Sequence, residues 1–237
     1  MGAVSDEIVV SLCGAHLHVQ ATEDVYVNGQ GGCTFFLFAR ARLADANMDL
    51  IEAKQALRAQ ARDRRKAAHA ANAAAAAVAL ADAFDRLVTV PPNAVVSGYW
   101  PAGSEMDIRP LLERLHAGGH RLVLPVVVER DAPLVFRVWQ PGDAVVKGNG
   151  AWVPAADKPT LEPDLLLVPL VGFDRHGTRL GQGAGYYDRT LVRLRAQKAI
   201  TAIGIGYAVQ ALPEIPTGPY DQPLDAVLTE AGLIEIG

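Results

Sequence analysis

Between two apolar stretches the chain carries Phe173-Asp174-Arg175-His176-Gly177-Thr178-Arg179-Leu180-Gly181-Gln182-Gly183-Ala184-Gly185-Tyr186-Tyr187-Asp188-Arg189. Gly181, Gly183 and Gly185 stand at alternate positions, after a run suited to a strand and before a helical pattern. Without β-carbons, successive backbone N–H groups can turn toward one point, and a helix start adds roughly half a positive charge. Such a bend favours an anion. No Gly-Lys-Ser/Thr follows, so it is not a Walker A, and its spacing is not the Gly-x-Gly-x-x-Gly of dinucleotide folds. Arg179 offers a cation for phosphate oxygens, and Asp188 offers a carboxylate for Mg²⁺. A nucleotide needs both. Taken alone, glycines so spaced also serve tight packing, and an Asp at a helix start also serves as a cap or dipole partner.

Lys54 and Arg58, four apart on one helical face, can reach a single polyphosphate. With Arg62, Arg64, Arg65 and Lys66 close behind, they read equally as a solvated basic face. Trp100 and Glu105 lie in Gly98-Tyr99-Trp100-Pro101-Ala102-Gly103-Ser104-Glu105-Met106-Asp107, where a strand gives way to a helix. A carboxylate can accept paired hydrogen bonds from a heterocycle's amino and ring N–H groups, and an indole gives that ring an apolar wall. First-turn helix electrostatics is the rival role for Glu105, and Ser104 is a candidate cap for that helix. His16, His18, His69, His116, His120 and His176 are scattered without zinc-site spacing, so each is assigned a structural or surface role.

These groups need elements to hold them. Leu50, Ile51, Lys54, Leu57 and Arg58 fall at helical spacing, which predicts a helix from Met48. An alanine-rich helix is expected over 67–83, ending near Val88 before Pro91-Pro92. Strands are then expected over 94–100, 121–128, 134–139, 165–171 and 200–207, with helices over 108–117 and 186–197. The strand at 134–139 pairs with its predecessor as a hairpin, and the Pro/Gly-rich stretch 141–163 is a surface loop bordering the site. This is βαβ spelling. It predicts an open three-layer α/β domain, a mainly parallel sheet flanked by helices, with its ligand crevice at the carboxyl ends of the strands.

A formal net charge of −4 argues against a surface built for nucleic acid, so any anion site must be local. Cys13 and Cys33 both precede the segment that reads as folded, which excludes a disulfide framework for the core and fits a reducing compartment. No apolar run reaches the roughly 20 residues needed to span a bilayer, and the N-terminus lacks a signal peptide's basic region and cleavage site. A cytoplasmic protein is expected. Residues 1–47 hold short apolar patches without sustained period, which suggests either a disordered extension or an upstream translation start, with Met48 the natural one.

Gly172-Phe173-Asp174, Gly177, Arg179-Leu180-Gly181, Gly183 and Gly185-Tyr186-Tyr187-Asp188 resemble the signature of the 5-formyltetrahydrofolate cyclo-ligase family. Lys54-Gln55-Ala56-Leu57-Arg58, then Asp221, Asp225 and Thr229-Glu230, match further motifs in the same order, so the resemblance covers residues 48–237. It implies ATP-driven closure of 5-formyltetrahydrofolate to 5,10-methenyltetrahydrofolate, with Mg²⁺ and no covalent enzyme nucleophile. Lys54, Arg58, Arg179, Leu180, Gly181, Gln182, Gly183, Ala184, Gly185, Tyr186 and Tyr187 are the implied ATP contacts. Trp100, Glu105, Gln182, Gly183, Ala184, Gly185 and Tyr186 are the implied substrate contacts, with Arg179 and Tyr186 at the chemistry. Asp188 and Asp221 would hold the metal, and Asp225 is the reserve. Some members carry basic residues where this chain has Gln182 and Ala184, which shifts phosphate contact toward backbone N–H groups, Lys54, Arg58 and Arg179. A monomer acting on small molecules is expected, the alternative being a non-catalytic nucleotide- or folate-binding protein on the same fold.

Overall fold

The computed structural model describes residues 7–12, 15–20 and 38–236, with side chains described from Met48 onward. Glu7–Leu12 (β1) and Ala15–Gln20 (β2) pair antiparallel as a hairpin within the unit Met1–Asp49, while Leu50–Gly237 forms a second unit. Cys13, Cys33 and the apolar patch at 25–27 lie outside the described residues.

Helix α1 spans Phe38–Leu87 and so begins ten residues before the expected Met48. Alanines, arginines and a leucine continue through this stretch with no Gly or Pro to stop a helix. A kink at Asn72 (φ −160°, ψ 41°) divides α1, at a residue type whose side chain competes for backbone hydrogen bonds. Beyond it, Ala76, Leu80, Ala81, Ala83 and Phe84 are buried against Leu111, Leu112 and Leu115. By length and composition alone Met48–Leu87 could cross a membrane. Of its alanines, Ala61, Ala76, Ala77, Ala81 and Ala83 are buried, while Ala67, Ala70, Ala71, Ala74 and Ala75 are exposed.

Val95–Ser97 (β3), Arg109–Ala117 (α2), Arg121–Val126 (β4) and Val135–Val138 (β5) follow, then a small hairpin of Val145–Lys147 (β6) and Trp152–Pro154 (β7) inside the stretch expected to be loop. Next come Leu165–Pro169 (β8), the two-residue ribbon Gly172–Phe173 (β9) and Arg179–Leu180 (β10), Tyr186–Gln197 (α3), Thr201–Ile205 (β11), Ala226–Thr229 (β12) and Gly232–Glu235 (β13). The main sheet has the order β13-β12-β11-β8-β3-β4-β5, parallel throughout except at the two edge strands. From β3 the chain builds outward in one direction, and from β8 in the other. The topological switch point therefore lies between β3 and β8, and beyond its carboxyl ends is the place where open α/β sheets of this kind take ligands. One buried cluster sits between the sheet and α1 and α2, the other between the sheet and α3. Those are the three layers expected.

Candidate active site at the switch point

The loop that leaves β8 folds first into the β9–β10 ribbon. Buried Asp174 closes its turn, accepting from His176 and Thr178 N–H at 2.9 and 3.0 Å and from Ile215 N–H at 3.0 Å. The glycine bend then runs free. Gln182, Gly183 and Ala184 are exposed, and a β-carbon on Gly181 would meet nothing within 4 Å. Gly183 at φ +106° and Gly185 at φ +69° adopt the left-handed backbone that other residues resist, and Gly185 caps α3. Among the described residues, the N–H groups of residues 181–188 donate to no protein acceptor, the first bond of α3 running from Arg189 to the Gly185 carbonyl. A row of unpaired donors at a helix start is an anion site in waiting.

One face of α1 lies along this bend. Arg58 Nε donates to the Gly181 carbonyl at 2.9 Å, and Arg62 donates to Gln182 Oε1 at 2.8 Å. Lys54 pairs with Asp221. Arg65, almost fully buried, donates to Ser104 Oγ at 3.2 Å and the Leu170 carbonyl at 3.3 Å, and lies 3.9 Å from Glu105. His69 Nδ1 is 3.1 Å from the Tyr207 hydroxyl. Residues 54, 58, 62, 65 and 69 follow the spacing of one helical stripe, and each meets a different part of the crevice rim. Arg62 and Arg65 were not among the expected site residues. The stripe was legible in their spacing, but the side of the helix that faced the sheet was not.

Arg179 is buried and committed to the protein: it donates to Asp188 Oδ1 at 2.5 Å and to the Gln222 carbonyl. Burial lowers its pKa, against the pull of Asp188 and Asp221. Its position makes it a strut between α3 and the segment bearing Asp221. Asp188 Oδ1 also accepts Gln222 N–H at 3.1 Å, and Asp221 Oδ2 accepts Gly218 N–H at 2.7 Å. Each carboxylate thus commits one oxygen, and the other has no protein partner among the described residues. No group of three or more His, Cys, Asp or Glu side chains suited to a metal occurs among the described residues. Two half-used carboxylates fit a hard cation that takes its remaining ligands from water and phosphate oxygens. Asp225 stands at the opposite end of the sheet, accepting Ala202 N–H at 2.6 Å and facing Arg195 at 3.3 Å, which removes it as a reserve ligand.

The second wall leaves β3. Glu105 accepts Ala102 N–H at 3.1 Å; burial raises its pKa, while that hydrogen bond, Arg65 and the Gln182 amide pull it down. Ser104 accepts from Arg65 and caps no helix; α2 has Ile108 at its cap position, and Asp107 takes the Arg109 N–H at 3.0 Å. Trp100 packs edge-on against Trp139 at 5.9 Å with the Arg109 guanidinium over its ring. Tyr186 lies under the Arg189 guanidinium, 5.2 Å from its ring centre. The Tyr187 hydroxyl is buried with no partner among the described residues, and burial, then Glu105, raise its pKa. An open depression of about 430 Å³ elsewhere is lined by Leu134, Phe136, Leu161, Thr160 and the ion pair of Arg193 with Glu162 at 2.7 Å, among others. The cations and carboxylates gather instead at the switch point.

An open, mainly parallel α/β sheet with a glycine bend of unpaired N–H groups at its switch point has the form of the α/β ligand-binding folds. The chain belongs to the 5-formyltetrahydrofolate cyclo-ligase family, whose model matches residues 50–230. It is 33% identical over 159 residues to the 5-formyltetrahydrofolate cyclo-ligase of Escherichia coli K12, covering 63% of this chain and 87% of that protein. It is 38% identical over 144 residues to that of Mycolicibacterium smegmatis, covering 56% and 72%. A solved 5,10-methenyltetrahydrofolate synthetase from Mycoplasma pneumoniae superposes with a TM-score of 0.60 at 27% identity, covering 75% of this chain and 98% of that one. The Aquifex aeolicus synthetase, at 24% identity and a TM-score of 0.64, supports the fold.

Proposed function

We propose that the residues gathered at this crevice carry out the activity of the family, the ATP-dependent conversion of 5-formyltetrahydrofolate to 5,10-methenyltetrahydrofolate. The observation that supports this assignment of residues is the row of unpaired N–H groups at 181–188, set between the cation stripe of α1 and the Glu105 loop. Those amides, with Lys54 and Arg58, take the triphosphate of ATP. Asp188 and Asp221 hold Mg²⁺, which would neutralise phosphate charge, and Arg179 fixes Asp188 in place. Glu105 accepts hydrogen bonds from the pterin, Trp100 walls its ring, and Tyr186 and Tyr187 line the folate side. The formyl oxygen attacks the γ-phosphorus as ADP leaves, N10 then attacks the activated carbon and gives its proton to water, and phosphate departs. The protein's part is alignment and charge stabilisation.

Residues 48–237 form the catalytic unit in this reading, and the enzyme works as a cytoplasmic monomer. Sedimentation with a concentration-independent monomer mass, and mass spectrometry of the native N-terminus, check those two points. The activity is tested by mixing the chain with Mg-ATP and 5-formyltetrahydrofolate. Near-ultraviolet absorbance of the methenyl product, with one ADP released per product, is expected; absence of product overturns the proposal.

A further inference from the structure

Arg65 of α1 ties together the two strands that flank the switch point. Its Nε donates at 3.2 Å to Ser104 Oγ, in the loop that leaves β3, and its Nη1 donates at 3.3 Å to the Leu170 carbonyl, just past the end of β8. The same Nη1 lies 3.9 Å from Glu105 Oε1, with the two side chains only 9% and 12% exposed. Among the described residues, Glu105 is the one carboxylate within 4 Å of this guanidinium. A buried cation needs an anion and fixed acceptors, and a planar fork can serve two acceptors at once where a lysine reaches one. The Leu170 carbonyl also accepts Gln210 Nε2 at 2.9 Å, which fixes the anchor at the strand end.

Two hydrogen bonds of Glu105 close only on its own loop: its N–H donates to the Ala102 carbonyl and its carboxylate accepts Ala102 N–H, both at 3.1 Å. The Gln182 amide also faces the carboxylate, as do the Tyr99 and Tyr187 hydroxyls, which burial keeps protonated. None of these is a cation. We infer that Arg65 is a positioning residue for the folate: it holds the Glu105 loop against the end of β8 and sets a positive charge beside the carboxylate, so that Glu105 meets the donors of the pterin as a fixed acceptor. Arg65 itself acts only through Glu105. The inference rests on the assignment of Glu105 to the folate.

The test is a double-mutant cycle, read by calorimetric titration of the full chain with 5-formyltetrahydrofolate, and by the pH profile of kcat/KM for folate. Arg65→Met should weaken folate binding about tenfold, the scale of one misplaced charge-assisted hydrogen bond, and leave the affinity for a non-hydrolysable ATP analogue with Mg²⁺ within about twofold. Glu105→Ala should cost at least as much, and adding Arg65→Met to it should cost less than about twofold more, because the group through which Arg65 acts is gone. The acid limb should move up by about one pH unit in Arg65→Met, since a nearby cation favours the ionised carboxylate. Arg65→Lys, which keeps the charge without the fork, should restore the limb and still bind folate less tightly than the native chain. An unmoved limb in Arg65→Met, or losses that multiply in the double variant, overturns this inference alone. Should Arg65→Met fail to fold, Arg65→Lys decides: folate affinity equal to the native, or an equal loss for the nucleotide, overturns it. Unchanged folate binding in Glu105→Ala overturns the assignment of Glu105, and the inference with it.

Discussion

The two ends of the same sheet carry the same chemistry to different effect. At the amino ends of the parallel strands, Asp164 accepts Val95 N–H at 2.8 Å and pairs with Lys198 at 2.6 Å, and Asp225 accepts Ala202 N–H and faces Arg195. Those carboxylates lock neighbouring strands to α3. At the carboxyl ends, Asp188 and Asp221 are likewise paired with cations, yet among the described residues each keeps an oxygen without a protein partner, beside a run of amides that also find none. A polar group that folding has fully satisfied holds the fold together. One left half-satisfied beside open space is available to a ligand.

Substitutions at the two ends sharpen this contrast. Asp188→Asn should lower kcat by about 10²-fold or more, the scale of losing one electrostatic contact to a transferring group. Circular dichroism of this variant should match the native chain; unchanged turnover would remove Asp188 from the metal site. Gly185→Ala places a β-carbon at φ +69° and 2.7 Å from Arg189 Nη1. Left-handed strain of roughly 1–2 kcal/mol should distort the bend and raise the KM for ATP about tenfold, with less effect on folate.

Glu105 should set the acid limb of the pH profile. Burial raises its pKa above the ordinary 4.5, so its accepting, ionised form is lost at a higher pH than for an exposed glutamate as pH falls. Between the ordinary and the raised value the folded chain binds more protons than the unfolded one, so this group costs stability as pH rises through that window. Glu105→Gln should abolish the limb in kcat/KM for folate and flatten the matching slope in Tm. The smallest effect on catalysis belongs to the other end. Asp225→Asn should leave kcat/KM within about twofold and lower Tm by about 2–4 °C, as loss of about 1 kcal/mol does at this chain size.

Elements with one strong local signal were readable from residues alone. Helix α3 has the expected bounds, because a glycine cap opens it and an apolar stripe of Leu191 and Leu194 runs through it. Strands β3, β4, β8 and β11 lie within their apolar runs, trimmed at the ends where side chains turn into the crevice loops. Strands β12 and β13 were not anticipated: β12 is four residues long, and β13 is an edge strand of half-exposed residues with little alternation. Lys54, Arg58, Asp188 and Asp221, singled out by spacing or by the family resemblance, are brought together around the glycine bend. Arg62 and Arg65 were not singled out, since a basic helix face looks the same whether it meets water or a loop edge. The strut role of Arg179 was equally hidden, because it depends on Gln222, distant in sequence, coming alongside.

The claim that unpaired amides of the glycine bend grip the nucleotide can be measured at those amides. Hydrogen exchange of the full chain, with and without Mg²⁺ and a non-hydrolysable ATP analogue, reports on residues 181–188 and on the strand starts at Val95 and Ala202 in one experiment. Exchange at 181–188 should slow markedly on nucleotide binding while the strand starts stay unchanged. Saturating nucleotide with unaltered exchange at 181–188 would contradict the account.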